Sequence, residues 1–313
     1  MTNTGGNSPA NNTFRGMMPI LPTAITPNGE VDEESQRRLV QYSLQCGAVA
    51  IGHFGFASEF HKISDSDRKR LTEIIVDETA GRVPVFLGVT AQGHNVAVKY
   101  AQEAEQLGAD ILMVALPLIN LPTRDEAFDL FREISDTVPL PIIVQDIPES
   151  ADVLSPEFVC RMAREIEHVD YVKAEGTNFI PKTEEVMQIA DGVVEVIGGS
   201  GGKHMIHLLR LGITSFMTGT EALDLHGACV KSFLDGKEDE AADIYFQRIS
   251  PYFAFYDAYS EELLKIMLHE RGIIDHPDII APRAKQPMSE IEWREFNWVL
   301  DRIDWRKQWP EIS

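Results

Sequence analysis

The stretch "YVKAEGTN", Tyr171 to Asn178, places a lysine where an apolar run ends. Val169, Tyr171 and Val172 are residue types of a buried strand, and Lys173, Glu175 and Gly176 close it. A lysine at the mouth of such a strand loses hydration, which disfavours its charged form. A free ammonium titrates near about 10.4, and each unit of depression costs about 1.36 kcal/mol of folding stability. What that cost returns is an uncharged amine able to add to a carbonyl and form a Schiff base. The same lysine can instead form a rim ion pair with Glu175 or Asp146. Position alone leaves both readings open.

Weaker signals lie elsewhere. "GGSGG", Gly198 to Gly202, can bind an anion through backbone amides or simply form a tight turn. His204 and His207 fall at i, i+3, but a metal pair needs a third ligand nearby, and two histidines on a helix face is the plainer reading. Glu59 and His61 end another apolar run, where they suit acid–base work or a hydrogen-bonded rim pair. No set of carboxylates and histidines suited to a metal can be assembled, and no cofactor motif is present.

The elements that must position these groups form a regular series. Short apolar, β-branched runs occur at 17–25, 49–55, 83–90, 111–118, 140–147, 169–175, 194–199 and 213–219. They recur roughly every 30 residues, the length of one strand–helix unit. Between them lie helical stretches with start signals at Ser64, Thr123 and Ser155-Pro156. Buried strands alternating with amphipathic helices imply a parallel sheet covered by helices, and eight units close into a (β/α)8 TIM barrel. An open doubly wound sheet would show a GxGxxG turn after its first strand, and "TAITPNGE" is not one. Residues 1–15 read as a disordered arm, 16–236 as the barrel, and 237–313 as a C-terminal helical extension with helices in 239–249, 261–272 and 290–303. In such a barrel chemistry sits where strands end. That rule selects Thr23, Thr26, Glu59, His61, Thr90, Asn120, Gln145, Asp146, Lys173, Glu175, Gly198 to Gly202, Thr218 and Thr220.

Composition narrows the function. The 313 residues are 44% hydrophobic and 25% charged, enough for a sizeable core. A formal net charge of −21 argues against nucleic acid or an anionic membrane as partner, yet leaves room for a small anionic substrate. The start of the chain has no apolar segment of a signal peptide, and no run is long enough to span a membrane. Cys46, Cys160 and Cys229 are far apart and odd in number, as expected of reduced thiols in a cytoplasmic protein.

From Gly16 to Ile303 the chain resembles the dihydrodipicolinate synthase/N-acetylneuraminate lyase family of Schiff-base aldolases. The likeness is carried by "LPTAITPNGEVD", "GFASEFHKIS", "LPIIVQDIP", "YVKAEGTN", "VIGGSGG" and "LGITSFMTGTEA". It implies that Lys173 is the imine-forming lysine, that the substrate is a pyruvate-type 2-oxo acid, that no metal or other cofactor is needed, and that the chain forms a homo-oligomer, dimer or tetramer. The departures are specific. The family's two carboxylate-binding hydroxyls fall at Phe56 and Ala57, its proton-relaying phenol at Gln145, its partner-donated tyrosine near Leu118 or Ile119, and its second-substrate arginine at Ser150. The aspartate that follows its strand-seven glycine is replaced by glycine.

The resemblance therefore implies a catalytic set of Lys173, Gln145, Glu175 and Tyr171. Tyr171 can replace the missing phenol or serve as packing, Gln145 can orient a carbonyl or water, and Glu175 or Asp146 can be the base. The substrate-binding set is Phe56, Ala57, Ser58, Gly199, Ser200 and Thr218, with backbone amides around Ala57–Ser58 and the Ser58 hydroxyl holding a carboxylate. The expected function is C–C cleavage, condensation or dehydration of a 2-oxo acid; the alternative is a non-catalytic binding or sensor protein. Phe56, Leu118 and Ile119 add a hint of a less polar substrate.

Overall fold

The structure, a computed structural model, describes residues 13–150, 152–176, 178–283 and 287–306. Eight parallel strands form one sheet: β1 (Gly16–Met17), β2 (Ile51–His53), β3 (Val85–Gly88), β4 (Ile111–Val114), β5 (Ile142–Asp146), β6 (Val169–Ala174), β7 (Glu195–Gly198) and β8 (Ser215–Phe216). Their order is β1-β8-β7-β6-β5-β4-β3-β2. The ring closes where Ile20 bridges Gly52, with Leu21 N–H donating to the Gly52 carbonyl and Gly52 N–H to that of Pro19. The expected (β/α)8 barrel is the observed fold. The first run was expected to be a strand over 17–25; its regular ladder is only two residues long, because Pro19 and Pro22 have no N–H to donate.

The strands divide two cores by alternation. Met18, Ile20, Phe86, Ile111, Met113, Ile143, Tyr171, Ile197 and Met217 fill the barrel interior. Their neighbours Val85, Leu87, Leu112, Val114, Ile142, Val144, Val172, Val196 and Phe216 face the helices. Residues 1–12 of the expected arm lie outside the described residues. Residues 13–15 do not continue it: Phe14 is buried in the interior cluster, its ring 5.8 Å from that of Tyr171, and Thr13 N–H donates to Glu195.

The barrel helices are α1 (Glu33–Gln45), α2 (Asp65–Thr79), α3 (His94–Gln106), α4 (Arg124–Thr137), α5 (Pro156–Glu165), α6 (Phe179–Ala190), α7 (Met205–Arg210) and α8 (Leu223–Leu234). Ser64, Thr123 and Ser155 cap α2, α4 and α5, each side chain accepting from the third backbone N–H, and Thr123 with Glu126 makes a full capping box. Beyond the barrel come α9 (Glu238–Ile244), a π turn at Tyr245–Ile249, a 3-10 turn at Ser250–Tyr252, α10 (Phe253–Glu270) and α11 (Glu290–Arg302). The end of the expected extension, 307–313, lies outside the described residues. α10 starts eight residues before the expected 261 and packs against the Phe56–Ser58 turn at the catalytic end of the barrel. Arg271, just past it, pairs with Asp224 of α8 at 2.9 Å and stacks 3.5 Å over Trp305. These contacts tie the extension to the barrel wall. Among the described residues no helix is long and apolar enough to cross a membrane. All three cysteines are free thiols.

Candidate active site

Register sets the centre of the site. In β5 and β6, Gln145 lies opposite Lys173, and Ile143 opposite Tyr171, so all four point inward and Lys173 sits one layer nearer the catalytic end than Tyr171. Lys173 is 6% exposed, and its Nζ lies 2.8 Å from Glu175 Oε1. Glu175 is held further by the Gln145 side-chain amide, which donates to Oε2 at 2.8 Å, and by the Ser200 N–H, which donates to Oε1 at 3.2 Å. Of the two carboxylates that position alone left open as partners for Lys173, the one in contact is Glu175. The amine is buried as expected, but a carboxylate in contact compensates the ammonium. Such a pair still supports chemistry, because Glu175 can accept the ammonium proton when a carbonyl arrives.

"GGSGG" is explained by close approach. A Cβ on Gly199 would stand 2.7 Å from the Ala174 carbonyl oxygen and collide with the Glu175 side chain. A Cβ on Gly201 would stand 2.8 Å from Tyr256 Cζ. The loop after β7 is bare so that acidic and phenolic side chains can reach it, and Ser200 itself contributes its N–H.

Other expected residues divide clearly. Asp146 points outward to Lys182 of α6 at 2.7 Å, away from the lysine. Tyr171 packs on Phe14, and its phenol, raised by burial, lies by Thr13 and Glu195 at the opposite end of the barrel. That geometry matches the packing reading and corrects the proton-relay reading. In the loop after β2, Phe56–Ser58 form a 3-10 turn with no side-chain cap at Gly55, and of the expected Ala57–Ser58 amides that of Ser58 is taken, donating to the Gly55 carbonyl at 3.0 Å. Ser58 is fully buried, and its hydroxyl donates to the Leu21 carbonyl at 2.6 Å, so that hydrogen is not free for a substrate as expected. The Phe56 ring stacks edge-on against Phe60 at 5.5 Å. The Thr218 hydroxyl donates to the Gly219 carbonyl at 2.9 Å.

Glu59 and His61 do not pair. Glu59 is fully buried between Lys265 at 2.6 Å and Lys62 at 3.0 Å, while His61 is exposed. Glu59 ties the β2 loop to α10. His204 and His207 also separate: His204 lies by the Phe179 ring and His207 lies 3.7 Å from Glu184 on the surface.

Sequence reasoning missed a polar group beyond β8. Glu221 is fully buried, accepts from the Tyr252 hydroxyl at 3.3 Å through Oε1, and has no hydrogen-bond partner at Oε2. Burial raises its carboxyl to about 7. Tyr252 also lies 3.4 Å from His226 Nε2, and burial lowers that imidazole to about 3, so it is neutral. The signals were an acid in "TGTEA" at a strand end and the aromatic run "YFAFYDAY" at 252–259.

The Dihydrodipicolinate synthetase family model matches residues 13–299. Among curated relatives, an L-2-keto-3-deoxyarabonate dehydratase of Azospirillum brasilense is 32% identical over 284 residues, covering 88% of this chain and 89% of its own. A 4-hydroxy-tetrahydrodipicolinate synthase of Nitrosococcus oceani is 28% identical over 265 residues, covering 83% and 89%. Among solved structures, dihydrodipicolinate synthase of Thermotoga maritima superposes with a TM-score of 0.85 at 23% identity, covering 93% of this chain and 99% of that one.

Proposed function

Because the chain belongs to the dihydrodipicolinate synthetase family and is a lyase, we propose that it dehydrates a 2-keto-3-deoxy sugar acid through an imine on Lys173. The observation that carries this reading is the buried Lys173–Glu175 pair, an amine with a carboxylate 2.8 Å away inside the barrel mouth. Glu175 takes the ammonium proton, Lys173 Nζ adds to the C2 carbonyl, and that proton leaves with the carbonyl oxygen as water. The iminium formed acidifies C3, and Glu175, again ionised, removes a C3 proton to give the enamine. The enamine expels the C4 hydroxyl, and water releases the product from Lys173. The backbone amides of Phe56 and Ala57, at the uncapped start of the turn after β2, hold the substrate carboxylate, and Gln145 orients Glu175.

Dehydration is favoured over condensation by two features. Ser150 stands where an arginine would grip a second substrate, and its hydroxyl donates to the Ile147 carbonyl. The relative that covers 88% of this chain is a dehydratase. An imine with one substrate needs no room for another. The chain acts as a homo-oligomer, a dimer or tetramer, a reading supported by the exposed Ile119 and Leu121 beside the barrel mouth.

The test is borohydride reduction in the presence of pyruvate or 2-keto-3-deoxy-L-arabonate, with peptide mass analysis. An adduct on Lys173, absent in Lys173→Ala, supports the reading. Turnover of the sugar acid by Lys173→Ala refutes it. Trapping without turnover of any 2-oxo acid favours the sensor alternative.

A further inference from the structure

In that reaction the hydroxyl leaving C4 must be protonated, and Glu175, which is also the base at C3, is the one carboxyl in contact with Lys173 among the described residues. The Gln145 amide is no acid near neutral pH. A phenol stands nearby on an element outside the barrel. Tyr256 lies on α10, the helix that also packs on the Phe56–Ser58 turn, so α10 bridges the loops after β2 and β7 at the barrel mouth. Its Oη lies 2.9 Å from where a Cβ on Gly201 would stand, and Gly201 adjoins Ser200, whose N–H holds Glu175. At Gly201 φ is +65°, so both backbone and space there favour glycine. Burial first, and then the fields of four carboxyl groups, Glu221, Glu175, Glu261 and Asp257, hold the Tyr256 proton well above the usual phenol range.

We propose that Tyr256 donates the proton to the leaving hydroxyl, and that Glu175, carrying the hydrogen taken from C3, restores it. This rests on the imine reading above. The C4–O bond breaks as the enamine electrons move to form C3=C4, and the oxygen takes the Tyr256 proton and departs as water. The phenolate then receives the Glu175 proton, returning both groups to their starting forms. The net loss is one water, with no outside acid. Glu221, a buried carboxyl raised to about 7 with no cation in contact among the described residues, can take up a proton and so lessen the negative charge beside the transient phenolate. The tyrosine supplied from α10 thus answers for the phenol absent at position 145.

Tyr256→Phe keeps the ring and its contacts with Tyr252 and Phe253. Three readouts on wild type and variant separate the steps: borohydride trapping of pyruvate, deuterium exchange into the pyruvate methyl group, and dehydration of 2-keto-3-deoxy-L-arabonate. The expected result is an unchanged melting temperature, trapping and exchange within about threefold of wild type, and dehydration lower by about 10²- to 10⁴-fold. Dehydration retained within about threefold, or exchange falling as far as dehydration, overturns the assignment while leaving the imine reading intact. A wild-type chain that traps no pyruvate removes the imine reading and this proposal together. A wild-type chain that traps pyruvate but dehydrates no 2-keto-3-deoxy acid overturns the dehydration reading and this proposal while leaving the imine on Lys173.

Discussion

Glu221→Gln tests the electrostatics of the mouth without reference to any substrate. The wild-type carboxyl is fully buried and rises from 4.5 to about 7, chiefly through desolvation. That rise corresponds to about 3 kcal/mol. The sign follows from proton binding. Between pH 4.5 and 7 the folded chain keeps a proton at Glu221 that the unfolded chain has lost, so stability falls as pH rises through that window. Glutamine is neutral at every pH and does not incur this loss. Its own cost, an amide where Oε2 had no partner, is independent of pH. His53 and His226, each lowered by burial to about 3, titrate alike in both proteins and cancel in the comparison. Urea unfolding at pH 5.5 and pH 8 isolates the effect. The stability of Glu221→Gln relative to wild type should rise by about 2 kcal/mol between the two values, since about two-fifths of the loss is already present at pH 5.5. A difference flat across that range, or one moving the other way, would mean that Glu221 is ionised and compensated in the folded chain. The assignment of a neutral acid beside Tyr256 would then be wrong.

Gly199→Ala puts a methyl group where the Glu175 side chain runs and 2.7 Å from the Ala174 carbonyl oxygen. Displacing the base should cut deuterium exchange into pyruvate by about 10²-fold while Lys173 still traps it, measured by NMR and mass analysis. Lys265→Met removes the fully buried partner 2.6 Å from Glu59, leaving that carboxylate with Lys62 and the Ile280 N–H, both on Oε2. The expected loss is about 3 kcal/mol or more in denaturant unfolding, with part regained in the double variant Lys265→Met/Glu59→Gln; no loss would show the pair to be energetically idle.

Much of the framework was legible in residue order. Apolar runs bounded by turn residues located all eight strands, and Ser64, Thr123 and Ser155 marked helix starts that the structure caps in the expected way. These signals are local: a strand's alternation and a capping hydroxyl act over a few residues. The first strand was overextended, since its side chains read correctly while its prolines interrupt the ladder. The start of α10 was missed because "FAFYDAYS" is aromatic on several faces and lacks a clean amphipathic stripe.

Local order determined that an amine would be buried at the inner end of the sixth strand, and alternation by two placed Glu175 on its side. Whether that amine stood alone or paired, and which of Glu175 and Asp146 met it, was decided only when β5, β6 and α6 packed: Asp146 went to Lys182, and Glu175 to Lys173. The hydroxyl of Ser58 was likewise taken by Leu21, and the mouth was furnished by Tyr256 and Glu221, groups far from Lys173 along the chain. Periodicity states which face a side chain takes, whereas partners are chosen by the closing of the barrel, which brings distant segments within hydrogen-bond reach and removes the water that would otherwise satisfy them.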